Sequence, residues 1–122
     1  MLLTLAFPFV CVGCSEGDAA SYDQISGAEA KALMDSESGY VIIDARTQEE
    51  YDAGHIPGAI LIPEYEIVDR AEKELPDKEQ LILVYCRSGR RSKIAAEELV
   101  KLGYTNVKEF GGIIDWKYEI VK

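Results

Sequence analysis

Apolar residues follow two different periods along residues 21–122. The runs YVIID (Tyr40–Asp44) and LILVY (Leu81–Tyr85) are almost continuously apolar and predict strands buried on both faces. Ala30, Leu33 and Met34 instead repeat at helical intervals behind a capping-box pair, Ser26 and Glu29, and Gly39 ends that segment. A second box, Thr47 with Glu50, predicts about two turns of helix that stop at Gly54. HIPGAILIP (His55–Pro63) reads as a turn and a short strand, and Glu64–Leu75 as a charged helix closed by Pro76 and Asp77. From Ser92 a helix turns Ala95, Leu99 and Leu102 inward and Lys93, Glu97 and Lys101 outward, with Gly103 as its left-handed cap. NVKEF (Asn106–Phe110) predicts a last strand, and Gly111–Val121 a turn with a terminal helix. Strands that alternate with helices and are apolar on both faces predict an α/β domain with a mostly parallel sheet covered on each side. Ligands of such sheets bind beyond the carboxyl ends of the strands, and Cys86 immediately follows the most apolar one.

Residues 1–20 have a different character and are assigned to a leader and linker, leaving residues 21–122 as the domain. Leu2–Val12 is apolar apart from Thr4 and Pro8, too short for the about 20 residues of a membrane span, and reads as the apolar centre of a signal peptide. Gly13, Cys14 and Ser15 resemble the lipobox of bacterial lipoproteins, which makes Cys14 the candidate lipidation site. The implied location is extracytoplasmic, with membrane attachment by lipid anchor only. Cys11 and Cys14 also make a CxxC pair, but without the strand–helix setting of a redox motif or the about four ligands of a zinc site, so no metal is expected.

Charge then narrows the chemistry. Thirteen Lys and Arg against 22 Asp and Glu, a net charge of -9, exclude nucleic acid as a general partner, because phosphate backbones need a basic face. Positive charge is nevertheless concentrated in CRSGRRS, where Arg87, Arg90 and Arg91 follow Cys86. A cysteine beside cations and ahead of a helix N-terminus is set up to react as the thiolate. Ser88 and Gly89 let the backbone curl into an anion nest, and the arginines add charge-assisted donors. The implied substrate is a small sulfur or phosphorus oxyanion with an electrophilic centre that the thiolate attacks.

Four motifs in order carry a family resemblance: Asp44 and Arg46 (DxR), Gly54–Ala59 (GHIPGA), Cys86–Arg91 (CxxGxR), and Gly111 and Gly112 with Trp116. Over residues 22–118 the chain resembles a single-domain rhodanese, a sulfurtransferase. The resemblance implies a five-stranded sheet with helices on both faces and a catalytic Cys86. That cysteine would take the outer sulfur of a donor such as thiosulfate, release sulfite, hold the sulfur as a persulfide and pass it to cyanide or a thiol, including a protein thiol. Amides of Arg87, Ser88, Gly89, Arg90 and Arg91 would cradle the persulfide, and the arginine side chains would hold the donor's sulfonate. No cofactor is implied, and a monomer is the expectation for this size. Asp44 and Arg46 would brace the fold, with Glu50 joining them; His55 would belong to a structural turn, and Tyr104, Trp116 and Tyr118 to core and rim. The alternative enzyme reading is arsenate reductase or cysteine phosphatase, whose loop places arginine six residues after the cysteine, where this chain has Ser92. The non-enzymatic alternatives are a redox sensor, for which residues 21–122 offer no resolving cysteine, and a sulfur-carrier binding module.

Overall fold

A computed structural model describes residues 21–122; the apolar leader, Cys11 and Cys14 lie outside the described residues. Five strands form one sheet: β1 (Asp23–Gln24), β2 (Val41–Asp44), β3 (Ile60–Leu61), β4 (Ile82–Cys86) and β5 (Val107–Gly112). Their order is β1-β5-β4-β2-β3 and every pairing is parallel. The intervening helices are α1 (Gly27–Ser36), α2 (Gln48–Ala53), α3 (Ile67–Glu74) and α4 (Arg90–Lys101).

Strand periodicity divides the apolar residues between two cores. On one face Ile43, Val84, Cys86 and Val107 pack with Ala71 of α3 and Ala95, Ala96 and Leu99 of α4. On the other, Ile42, Leu83, Tyr85 and Phe110 meet Ala30 of α1, with Tyr51 of α2 and Trp116 packed against them. Each fully buried aliphatic side chain of this size contributes about 1.5–3 kcal/mol. A sheet covered on both faces therefore holds β4, whose five residues are all buried, as its central strand.

Local signals decide where the helices begin. Ser26 Oγ accepts from Glu29 N–H (3.0 Å) while Glu29 Oε1 accepts from Ser26 N–H (2.8 Å), and Thr47 and Glu50 repeat the exchange at 3.2 and 3.1 Å. Gly103 ends α4 with φ 102°, as expected of a left-handed cap.

Four elements differ from the sequence expectation. α4 starts at Arg90 rather than Ser92, because Gly89 at φ 111° reverses the chain one step earlier and leaves Ser92 buried inside the first turn. The charged helix opens with a 3-10 turn over Glu64–Glu66 and becomes α-helical only from Ile67. β1 is a two-residue edge strand, exposed at both positions and without an apolar pattern. The terminal helix is replaced by one 3-10 turn (Ile113–Asp115) and extended chain, and Val121 exchanges two 2.8 Å backbone bonds with His55. Trp116, Tyr118 and Ile120 recur at every second position, which is the period of a strand.

Candidate active site

β4 ends on Cys86, a free thiol that is only 1% exposed. Beyond it the chain emerges at the exposed Arg87 and Ser88, turns at the buried Gly89 and enters α4. That turn brings Gly89 N–H to within 3.0 Å of Cys86 Sγ, as a donor to the sulfur. The next intrahelical bond runs from Lys93 N–H to Gly89 O (3.3 Å). The amides of Arg90, Arg91 and Ser92 precede it and have no acceptor within the helix, so they belong to the positive end of the α4 dipole. Ser92 Oγ lies 3.3 Å from Sγ on the inner side.

The double glycine of β5 makes room for this loop. Cys86 pairs with Gly112 across a register shift, and a Cβ on Gly112 would lie 1.9 Å from the carbonyl oxygen of Arg87. Any side chain there would displace the loop backbone. Ile114 N–H donates to that same carbonyl (3.3 Å), fastening the loop to the end of β5.

The three arginines divide into two roles. Arg91 is tied to Glu50 of α2 by a bidentate pair, Nη1–Oε1 2.7 Å and Nη2–Oε2 2.9 Å. That guanidinium, helped by the Thr47 amide and hydroxyl, holds the Glu50 carboxyl at about 2, and Glu50 in turn raises Arg91. Arg87 and Arg90 are exposed, and neither is in an ion pair among the described residues. Glu50 therefore braces the Cys86–Arg91 loop, and its hydrogen bonds go to Arg91 and Thr47 rather than to Arg46.

Asp44 and Arg46 form a separate buried brace. Arg46 Nε and Nη2 donate to the two Asp44 oxygens at 2.9 and 2.7 Å, and Nη2 also reaches Gly54 O at 2.7 Å. Tyr85 Oη donates to Asp44 Oδ2 (2.6 Å) and accepts from Ile56 N–H (3.1 Å), so its proton is held and its ionisation is driven far up by burial and by Asp44. His55 stacks on Tyr51 at 3.7 Å, with Nδ1 2.9 Å from Tyr51 O.

Two groups beside the sulfur were not singled out from sequence, Ser92 and Glu109. Glu109 is 2% exposed, and its Oε2 receives Ser92 Oγ (2.5 Å) and Gly111 N–H (2.9 Å). The available signal was its place in NVKEF, two residues from Val107 and so on the same inward face. A cleft of about 330 Å³ lined by Ser21, Tyr22, Glu97, Val100 and Lys101 includes none of the loop residues.

Comparison with known proteins agrees with this fold. The chain is 44% identical over 73 residues to the thiosulfate sulfurtransferase PspE of Escherichia coli, covering 60% of this chain and 70% of that protein. It is 37% identical over 97 residues to the thiosulfate sulfurtransferase GlpE of Coxiella burnetii, covering 79% and 88%. Among solved structures, a rhodanese with anions from E. coli superposes with a TM-score of 0.64 at 41% identity, over 68% of this chain and 98% of that one. The rhodanese-like domain model matches residues 26–119, and the chain belongs to that family.

Proposed function

We propose that the protein is a sulfurtransferase that carries a sulfane sulfur on Cys86. The observation that carries this reading is the closed loop from Cys86 to Arg91, which directs the Gly89 amide onto the thiol and leaves two cationic side chains at its mouth. The thiolate attacks the outer sulfur of a donor such as thiosulfate. A bond forms between Sγ and that sulfur, the donor's S–S bond breaks, and sulfite leaves with the electron pair. The persulfide's negative outer sulfur then lies among the loop amides of Arg87 to Arg91 and the α4 N-terminus. An acceptor thiolate or cyanide attacks it and Cys86 Sγ departs as thiolate, closing the cycle without a metal or organic cofactor.

Arg87 and Arg90 hold the donor's sulfonate in this scheme, and Arg91, committed to Glu50, contributes its amide and its charge. The names of the PspE and GlpE relatives support thiosulfate as a donor. The test is thiocyanate production from thiosulfate and cyanide by the full chain beside Cys86→Ser, with mass spectrometry after thiosulfate alone. Turnover and a gain of one sulfur atom, both lost in Cys86→Ser, are expected; sulfur uptake that survives the substitution refutes the assignment.

The proposed location is extracytoplasmic, with Cys14 as a lipidated N-terminus supported by the apolar Leu2–Val12 run before it. Among the described residues no helix is long and apolar enough to cross a membrane. Processed, membrane-associated protein is expected from cells of the native host. A full-mass species in the soluble cytosolic fraction refutes it.

A further inference from the structure

Among the described residues the buried carboxylate behind Cys86 has no cationic partner. Glu109 takes part in no ion pair among the described residues; its donors are the Ser92 hydroxyl, the Gly111 amide and, at 3.4 Å, Gln24 Nε2 on Oε1. Ser92 has one proton and its Oγ reaches Glu109 Oε2 (2.5 Å), Gly89 O (3.1 Å) and Gly111 O (3.4 Å); the shortest separation assigns the proton to Glu109, so that a lone pair of Ser92 Oγ is left for Cys86 Sγ at 3.3 Å. The carboxylate oxygen is thereby within about 6 Å of the sulfur, close enough for one negative charge to oppose the other. Ionised thiolate and ionised carboxylate together are the costly state in a site this dry.

We propose that Cys86 and Glu109 share one proton through Ser92, with Glu109 as the acceptor that generates the thiolate inside the closed loop. The Cys86 S–H bond breaks with its electron pair left on sulfur, the proton passes to Ser92 Oγ, and Ser92's own proton passes to Glu109 Oε2. Thiol plus carboxylate become thiolate plus carboxylic acid, and no other reactant is needed. Ser92, now turned round, donates to the thiolate alongside Gly89 N–H. The inference rests on Cys86 as the sulfur carrier and adds the group that takes its proton.

Other charges face the trio from each packed element. Arg91 of α4 is paired first with Glu50 of α2, and its charge also faces Cys86 and Asp44 of β2. Tyr22, just ahead of β1, is raised by burial and by the charges of Glu97 and Glu109. Lys108 is occupied by Asp23 at 2.7 Å, and Arg87 and Arg90 stand at the loop mouth. These groups are common to the wild type and the variants below, so they shift all the curves together.

The test is the thiolate absorbance of the full chain as a function of pH, with the Cys86→Ser spectrum subtracted to isolate Cys86. Two groups sharing a proton make the wild-type thiolate appear in two steps. Glu109→Gln, with its own Cys86→Ser partner subtracted, should show one step at lower pH than the wild type's upper step, because the opposing charge is gone. A single wild-type step, or two steps that persist in Glu109→Gln, overturns the proposal. Should Glu109→Gln fail to fold, the ¹³C carboxyl signal of Glu109 decides: two steps in the wild type and one in Cys86→Ser are expected, and identical curves refute it. No sulfur donor enters either measurement, so the outcome is separate from whether thiosulfate is the substrate.

Discussion

Gly112 lies directly beneath the backbone of Arg87, so close that a Cβ on it would sit 1.9 Å from the Arg87 carbonyl oxygen and 2.6 Å from Ser88 Cα. Both clashing partners are main chain, and neither can rotate away. Gly112→Ala must therefore push the loop off the end of β5, at a cost of about 1–3 kcal/mol for an overpacked site. Because Gly89 N–H reaches Cys86 Sγ only while that loop is seated, thiocyanate production should fall by at least about tenfold with a folded circular dichroism spectrum. Full activity in folded Gly112→Ala would show that loop placement is not set here.

Arg91 and Glu50 join α4 to α2 across the mouth of the site, and the pair makes stability depend on pH. The Glu50 carboxyl ionises at about 2 in the folded chain against an ordinary 4.5, so folding binds fewer protons than the unfolded chain does between those values. Its contribution is complete above pH 4.5 and is lost as pH falls toward 2. Melting curves of the wild type and Glu50→Gln should differ by about 1 kcal/mol near neutrality, the upper end for an exposed pair because this one is partly buried, and converge in acid. An equal gap at pH 7 and at pH about 2.5 would contradict the assignment.

In the proposed cycle Arg87 and Arg90 are the side chains left to meet a donor anion, since both are exposed and Arg91 is already engaged by Glu50. Replacing either by alanine should raise the KM for thiosulfate by about tenfold, with a smaller change in kcat, as expected when a charge-assisted contact is removed from ground and transition states alike. An unchanged KM in both variants would move the anion contact entirely to the backbone amides.

What could be read ahead of the structure was what depends on near neighbours. Ser26 with Glu29 and Thr47 with Glu50 cap their helices through contacts three residues apart, and the β4 run needs no partner to declare itself buried. The motif around Cys86 likewise located the thiol at a strand end. Relationships across long separations were not legible. Glu50 has a local role in its capping box, which hides its second role on Arg91, 41 residues away. Glu109 reads as one more charge in an acidic chain until β5 and α4 are packed, when it turns out to face Ser92. The two-residue β1 owes its place to β5, since neither of its residues is buried. The C-terminal segment, where the sequence reading expects a helix, alternates Trp116, Tyr118 and Ile120 at the period of the extended chain that bridges to His55.

The position of β4 between β5 and β2 has a consequence for how the protein fails. Edge strands fray at little cost, but amides of a central strand open to solvent only when the whole sheet does. Leu83, Val84 and Tyr85 should therefore be among the last amides to exchange with deuterium, and the strand that positions the thiol comes apart only in that same global event. Heating then removes activity and fold at one temperature, with no earlier form in which the strand has let go of the thiol while the rest of the domain stands.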